Sequence, residues 1–175
     1  MLRQCAFNQH WDVGGGITYC LEAIRHLQRL HELLAERERA RALDAATLVS
    51  VVIGDRGSER TFNQQGVETS VIRTDGRSGR RAIQWFSYDM PREGQAVALV
   101  ATYNSDQRRA RSFDVLINGV KVGSESQPQS SVSRFYEQRY AIPQSESQAG
   151  VLTVRFEATN GLEVTPVFGI RLVRA

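Results

Sequence analysis

The dipeptide Asn118-Gly119 is the feature that most constrains the fold of this chain. It lies between two short apolar runs, at residues 114–117 and 120–122. Asparagine and glycine best tolerate the positive φ angles of a two-residue type I′ turn, which joins antiparallel strands. The sequence therefore predicts a β-hairpin here, within an antiparallel β-domain. Such a domain has neither a helical-bundle core nor a nucleotide crevice in which to build a site.

Strand-like segments continue on both sides of this hairpin. They occur at 48–53, 85–90, 96–103, 112–117, 120–122, 135–142, 151–158 and 166–173. In the segment 151–158, Leu152, Val154 and Phe156 alternate with polar residues, which indicates a strand that covers a core on one side. Short strands at this spacing predict a β-sandwich or barrel. The stretches at 66, 74–79 and 124–133 are predicted to be loops.

A long amphipathic helix is predicted before the β-region, at residues 17–44. Its apolar stripe has the three-and-four spacing of one helical face and includes Ile24, Leu27, Leu30 and Leu34. We expect this stripe to dock on the β-domain, on an upstream domain or on a second copy of the chain. Residues 1–16 are predicted to be the irregular tail of a preceding domain, broken by the glycines at 14–16, and residues 45–175 to be the β-domain.

Charge and hydropathy exclude several partners. The formal net charge is +3, and the arginine-rich stretches at 73–81 and 108–111 flank loop-like segments instead of forming a basic face with aromatics. We therefore expect no nucleic-acid partner. No apolar run approaches the roughly 20 residues of a membrane span, and no secretory signal is evident. The chain as written is predicted to be cytoplasmic, unless it is a fragment of a longer exported protein.

The sequence lacks the residue groups that catalysis or metal binding needs. The histidines His10, His26 and His31 all precede the β-region, so they provide no Ser-His-Asp arrangement there. Cys5 and Cys20 form no C-x-x-C pair, which argues against both a zinc cluster and a disulfide framework. We predict no catalytic residue, no metal and no other cofactor.

The acidic and the aromatic residues of the β-region lead to different functional expectations. Glu59 and Glu68 are interpreted as solvated loop acids, because their spacing fixes no acid–base pair. Aromatic faces with nearby amide, carboxylate and guanidinium groups can bind sugars. Trp85 and Phe86 must point to opposite faces of one strand, so one of the two is expected to be buried.

Several of these segments also resemble, in order, a known module. They are residues 84–90 (QWFSYDM), 99–103 (LVATY), 113–119 (FDVLING), 135–143 (FYEQRYAIP), 152–158 (LTVRFEA) and 166–172 (PVFGIRL). Together they are similar to the C-terminal β-sandwich domain of the family 127 glycoside hydrolases, the β-L-arabinofuranosidase family. The similarity covers roughly residues 45–175.

This resemblance implies a jelly-roll, galactose-binding-like β-sandwich preceded by a linker helix. It also implies that catalysis belongs to a helical barrel carrying a nucleophilic cysteine and a zinc ion, which this chain lacks. The chain is then either a fragment of such a hydrolase or a free-standing copy of the module. An upstream catalytic domain is the implied partner of the helix.

The first functional hypothesis is a non-catalytic accessory domain that supports a catalytic barrel and binds carbohydrate. The sugar-binding candidates are Trp85, Tyr88 and Tyr136 for stacking and Asn104, Asp106 and Arg108 for hydrogen bonding. The alternative is a structural or oligomerisation module that acts through the helix stripe and has no ligand of its own. An independent enzyme is disfavoured, because nucleophile, base and metal ligands do not converge.

Overall fold

The computed structural model describes residues 13–92, 96, 98–146 and 150–174, with side chains from residue 21 onwards. Its elements are α1 (Val13–Ala46), β1 (Thr47–Val51), α2 (Arg56–Thr61), β2 (Gln65–Thr74), β3 (Arg77–Pro91), β4 (Ala98–Asn104), β5 (Arg111–Ile117), β6 (Val120–Gln127), β7 (Phe135–Ala141), a 3-10 helix (Gln144–Glu146), β8 (Val151–Ala158) and β9 (Val164–Val173). The chain divides into two compact units, residues 1–45 and 46–175.

Helix α1 makes up the described part of the first unit. It begins at Val13, so the glycines at 14–16 lie inside the helix and the predicted break there is wrong. Each glycine disfavours a helix by only about 1 kcal/mol relative to alanine, and the leucines, alanines, glutamates and arginines that follow are good helix formers. Residues 1–12 of the predicted tail lie outside the described residues. No described helix is long and apolar enough to cross a membrane.

The predicted stripe on α1 is accessible to solvent. Ile24, Leu27, Leu30 and Leu34 are 43%, 65%, 43% and 60% exposed. Leucines and isoleucines at this spacing are normally buried against another element. The role of the stripe as a docking surface stays a prediction.

The second unit is an antiparallel β-sandwich. Its strands follow the order β6-β5-β8-β3-β9-β4-β7, with β2 paired to β3 and β1 paired to β9. Strand β3 joins the two layers: its C-terminal part pairs with β8 through Trp85 and Glu157, and its N-terminal part pairs with β9 through Arg80 and Val167. The predicted fold class, an antiparallel sandwich preceded by a long helix, is confirmed.

The core lies between the two layers and follows the predicted alternation. Leu152, Val154 and Phe156 of β8 are fully buried, whereas their neighbours in the same strand are not. The Phe86 and Phe156 rings stack with their centroids 5.0 Å apart. Each large apolar side chain removed from water contributes roughly 1.5–3 kcal/mol. Phe86 is buried and Trp85 only half-buried, as expected of neighbours on opposite faces.

The predicted hairpin between β5 and β6 is present. Asn118 and Gly119 have φ angles of 49° and 83°, and Ile117 pairs with Val120 directly across the turn. Two positive φ angles in succession are the requirement of a type I′ turn. The Asn118 side chain also accepts a hydrogen bond from the Thr153 amide at 2.8 Å. The turn is thus fixed both by its backbone chemistry and by β8.

Strand β2 was not predicted, because its sequence carries no burial alternation. Most of its residues are exposed and none is fully buried, and the backbone ladder to β3 holds it in place. The predicted loop at 66 lies within this strand. The predicted loop at 74–79 shrinks to a tight turn at Asp75-Gly76, both at positive φ.

Helix α2 was also missed, although its N-cap can be recognised afterwards. The Asp55 carboxylate accepts a hydrogen bond from the Ser58 amide at 2.7 Å, which satisfies an amide of the first turn. The predicted long loop at 124–133 is shorter than expected, because β6 continues to Gln127.

Candidate functional site

The loops that join β4 to β5 and β6 to β7 form an open cleft of about 630 Å³. The residues that line it are Asp106, Gln107, Arg108, Gln129, Ser130, Ser131 and Val132. All but Val132 carry polar side chains. Loops held by a rigid sheet are a common place for binding residues, and this cleft contains two of the predicted site residues, Asp106 and Arg108.

Hydrogen bonds between the two loops give the cleft a fixed floor. Gln107 and Ser130 exchange backbone hydrogen bonds of 2.8 and 2.9 Å. The Ser105 hydroxyl donates to the Val132 carbonyl at 2.6 Å, and the Ser105 amide donates to the Arg134 carbonyl at 3.0 Å. A site that is ordered before binding loses less conformational entropy when a ligand arrives.

Asn104 supports the cleft from beneath. It is only 2% exposed. Its side-chain oxygen accepts a hydrogen bond from the Asp106 amide at 2.7 Å, and its side-chain nitrogen donates to the Ser133 hydroxyl at 3.1 Å. The Gln107 side chain donates to the Asn104 carbonyl at 2.7 Å. Asn104 was predicted to hydrogen-bond a sugar, but its amide is already engaged in shaping the loop.

Asp106 and Arg108 have the opposite character. Both side chains are exposed, and within the described part of the chain neither forms a hydrogen bond or an ion pair through its charged group. A carboxylate accepts hydrogen bonds and a guanidinium donates them. The cleft therefore presents one acceptor group and one donor group that protein contacts do not occupy.

The three aromatic candidates do not line the cleft. Trp85 lies in the middle of β3, where the Arg155 guanidinium covers its ring 4.0 Å from the centroid. Tyr88 is fully buried in the core, so a sugar cannot stack on it. Tyr136 is half-buried, and its hydroxyl accepts a hydrogen bond from the Gln127 side chain. Alternation within strands directs these rings to other surfaces or to the core.

Four residues that line the cleft were not predicted from the sequence: Gln107, Gln129, Ser130 and Ser131. The serine- and glutamine-rich composition of residues 124–133 was the available signal. This composition indicated a loop, but it did not indicate that the loop between β4 and β5 would lie opposite. The cross-loop pairing of Gln107 with Ser130 depends on the tertiary fold.

A second polar cluster is buried and has a structural role. Glu59 was interpreted as a solvated loop acid, which is wrong: it lies in α2, buried, and binds Arg80 through atom pairs at 3.0 and 2.7 Å. The Tyr88 hydroxyl donates to the same carboxylate at 3.0 Å, and the Gly54 amide does so at 3.2 Å. The cluster ties α2 to β3.

The pKa values of this cluster follow from its geometry. Burial alone would raise the pKa of Glu59, but the hydrogen bonds from Arg80, Gly54 and Tyr88 lower it below its usual value. Burial, together with the nearby Glu59 carboxylate, raises the pKa of Tyr88. Every group in the cluster has a partner, which leaves none of them free for chemistry. Among the described residues no group of three or more acidic, histidine or cysteine side chains could hold a metal ion.

Solved structures of similar fold include carbohydrate-binding modules. A family 35 carbohydrate-binding module from Clostridium thermocellum is 13% identical, with 73% of this chain and 100% of that chain covered and a TM-score of 0.53. An exo-β-1,3-galactanase from Phanerochaete chrysosporium, solved with β-1,3-galactotriose, is 11% identical, with 73% and 29% covered and a TM-score of 0.50. At these identities the similarity shows the fold alone.

Comparison with curated proteins finds no match. The model of one protein family matches residues 42–173, which include the whole β-sandwich up to Val173. The match excludes most of helix α1. The chain therefore belongs to the family of unknown function DUF6805.

Proposed function

We propose that the β-sandwich is a non-catalytic accessory domain of a glycoside-hydrolase-like protein and that it binds an oligosaccharide in the cleft. The observation that carries this proposal is the pair of exposed, unengaged charged groups of Asp106 and Arg108 on a floor fixed by Asn104 and the Gln107–Ser130 bridge. The fold shared with a family 35 carbohydrate-binding module supports it.

The chemistry of the cleft suits sugar hydroxyls. Each hydroxyl both donates and accepts, so adjacent hydroxyls can donate to the Asp106 carboxylate and accept from the Arg108 guanidinium. The side chains of Gln129, Ser130 and Ser131 add further donors and acceptors. The volume of about 630 Å³ falls within the range typical of small-ligand sites.

The choice of sugar rests on the sequence resemblance described above. The strand motifs between residues 84 and 172 are similar, in order, to the accessory sandwich of β-L-arabinofuranosidases. Arabinose-containing oligosaccharides are therefore the first ligands to test, with galactose- and xylose-based oligosaccharides as comparisons. The same resemblance supports a catalytic barrel as the partner domain.

Calorimetric titration of the purified chain against this panel tests the proposal. We expect saturable heat with at least one oligosaccharide, and its loss in the double variant Asp106→Ala, Arg108→Ala. The matched control is Glu137→Ala, Arg139→Ala, which removes an exposed acid and an exposed arginine from β7. Absence of heat across the panel, or equal heat in both double variants, would overturn the proposal.

The exposure of Ile24, Leu27, Leu30 and Leu34 favours a second candidate function, a structural or oligomerisation module. If the stripe forms a dimer, Leu27→Lys with Leu30→Lys should give a monomer by light scattering. The control Arg25→Lys with Arg29→Lys also carries two lysines but keeps the charge, on a face of the helix away from the stripe. An unchanged mass in the leucine double variant would rule this role out.

A further inference from the structure

A smaller cavity of about 150 Å³ adjoins the loop between β4 and β5. Arg108 lines the cleft, whereas the next residue, Arg109, lines the cavity. Glu68, Arg81 and Glu163 also line the cavity. Its volume is below the roughly 300–1,000 Å³ of sites for drug-sized ligands, so it suits one small group.

Two irregularities of the sheet adjoin this cavity. The pairing of β2 with β3 shifts register at Glu68, which has a φ of 52°. The pairing of β3 with β9 shifts between Arg80 and Ala82, on either side of Arg81. Bulges re-aim side chains and are frequent beside functional sites. A left-handed conformation costs a non-glycine residue roughly 1–2 kcal/mol, and such an outlier motivates a functional hypothesis.

The charges around the cavity do not balance. Glu163 is shared by two guanidiniums, those of Arg109 at 3.1 Å and of Arg111. The Arg111 side chain is only 6% exposed, and its Nε has no hydrogen-bond partner within the described residues. A buried charged group without full compensation is costly.

The other two charged side chains that line the cavity, those of Arg81 and Glu68, do not remove this excess of positive charge. Arg81 donates through Nε to the Ser70 hydroxyl at 3.1 Å, and no carboxylate in the described part of the chain pairs with it. Glu68 accepts a hydrogen bond from the neutral side chain of Gln84 at 3.3 Å. Arg111 does not line the cavity itself, but it binds Glu163, so the guanidiniums of Arg81, Arg109 and Arg111 are matched by only the two carboxylates of Glu68 and Glu163. This leaves one positive charge for a ligand to neutralise.

Resting on the proposed carbohydrate function, we propose that this cavity binds the anionic substituent of an acidic saccharide. The substituent, a carboxylate or a sulfate ester, lies between the guanidiniums of Arg81 and Arg109, both of which present planar donor pairs. The Glu68 carboxylate accepts hydrogen bonds from neighbouring hydroxyls of the same sugar. The rest of the saccharide extends over the loop toward the cleft.

Calorimetric titrations with digalacturonate, a 6-sulfated galactobiose and neutral galactobiose test this proposal. We expect at least one acidic saccharide to bind about tenfold or more tightly than the neutral one, the effect of one charge-assisted hydrogen bond. This advantage should shrink with added salt and disappear in Arg81→Gln. The control Arg73→Gln removes an exposed arginine from β2 and should leave the advantage intact.

The two acidic saccharides distinguish a carboxylate from a sulfate ester as the bound anion. The outcomes also separate this proposal from the carbohydrate function on which it rests. Equal affinity for acidic and neutral saccharides, lost in Asp106→Ala with Arg108→Ala, would keep the carbohydrate function and overturn the anionic site. An acidic preference that survives Arg81→Gln would also overturn it. Inorganic sulfate that binds as tightly as the sulfated sugar would show an anion site without saccharide recognition and would overturn the proposal. No binding by any saccharide would overturn the carbohydrate function itself.

Discussion

Glu59 and Arg80 form a two-point ion pair inside the sandwich, with side chains only 11% and 9% exposed. The pair joins helix α2 to strand β3 across 21 residues of sequence. Tyr88, Thr69 and the Gly54 amide add further hydrogen bonds to the pair. A buried pair of this kind stabilises little by itself, but the loss of one partner leaves a buried charge uncompensated.

We therefore expect Arg80→Met to destabilise the domain by about 3–5 kcal/mol. The double variant Glu59→Leu, Arg80→Met should recover much of this loss, because it leaves no buried charge. Urea denaturation followed by tryptophan fluorescence measures both free energies of unfolding. If Glu59→Leu lowers the free energy of unfolding by the same amount in Arg80→Met as in the wild type, the two residues are not coupled.

The lowered pKa of Glu59 predicts how stability depends on pH. Because the folded state holds this pKa below its ordinary value of 4.5, the carboxylate stabilises the fold above that pH. The contribution is lost as the pH falls through the folded-state pKa. The gap in Tm between the wild type and Glu59→Gln should therefore narrow from about pH 7 to about pH 3. A constant gap would refute this account, and Glu137→Gln on the exposed face of β7 is the control.

The hairpin turn predicts a difference between two glycines that both have open space around them. Gly119 has a φ of 83°, whereas Gly150 does not occupy the left-handed region, and a Cβ at either position would meet nothing within 4 Å. Gly119→Ala should cost about 1–2 kcal/mol through backbone strain alone. Gly150→Ala should be neutral or slightly stabilising, because alanine restricts the unfolded chain. Thermal denaturation of both variants compares them; equal Tm values would mean that the turn relaxes.

The buried position of Asn104 predicts a coupled loss of stability and binding. Asn104→Leu removes the acceptor for the Asp106 amide and the donor to Ser133, at a cost of about 1–3 kcal/mol. Asn104→Ser keeps an uncharged side-chain oxygen that can accept from the amide two residues on, and should be milder. If the cleft binds saccharide, affinity should fall in the same order, as measured by calorimetry at a temperature where both variants are folded. Unchanged affinity in a folded Asn104→Leu would mean that the loop does not need this support.

The parts of the fold that could be predicted from sequence are those with a local cause. The turn at Asn118-Gly119 follows from backbone φ preferences, and the core side of β8 follows from the alternation of Leu152, Val154 and Phe156. Strand β2 has no apolar alternation, because it is held by its ladder to β3 and covers little of the core.

The candidate site was only half predictable for the same reason. Residue type and proximity to a loop selected Asp106 and Arg108, and both line the same cleft, whereas their role in binding sugar stays a prediction. Burial of Tyr88 and Asn104 depends on contacts with residues far away in sequence, such as Glu59 and Ser133. The ion pair of Glu59 with Arg80 likewise requires the packing of α2, which the sequence pattern did not indicate.

Strand β3 pairs with β8 at one end and with β9 at the other, so both layers share one continuous segment of backbone. Neither layer can open fully without breaking part of the ladder that holds this strand. The slowest-exchanging amides of both layers should therefore report one common opening event, and the sandwich should behave as a single foldon in native-state hydrogen exchange. A nick within β3 would in turn disconnect both halves of the domain at once.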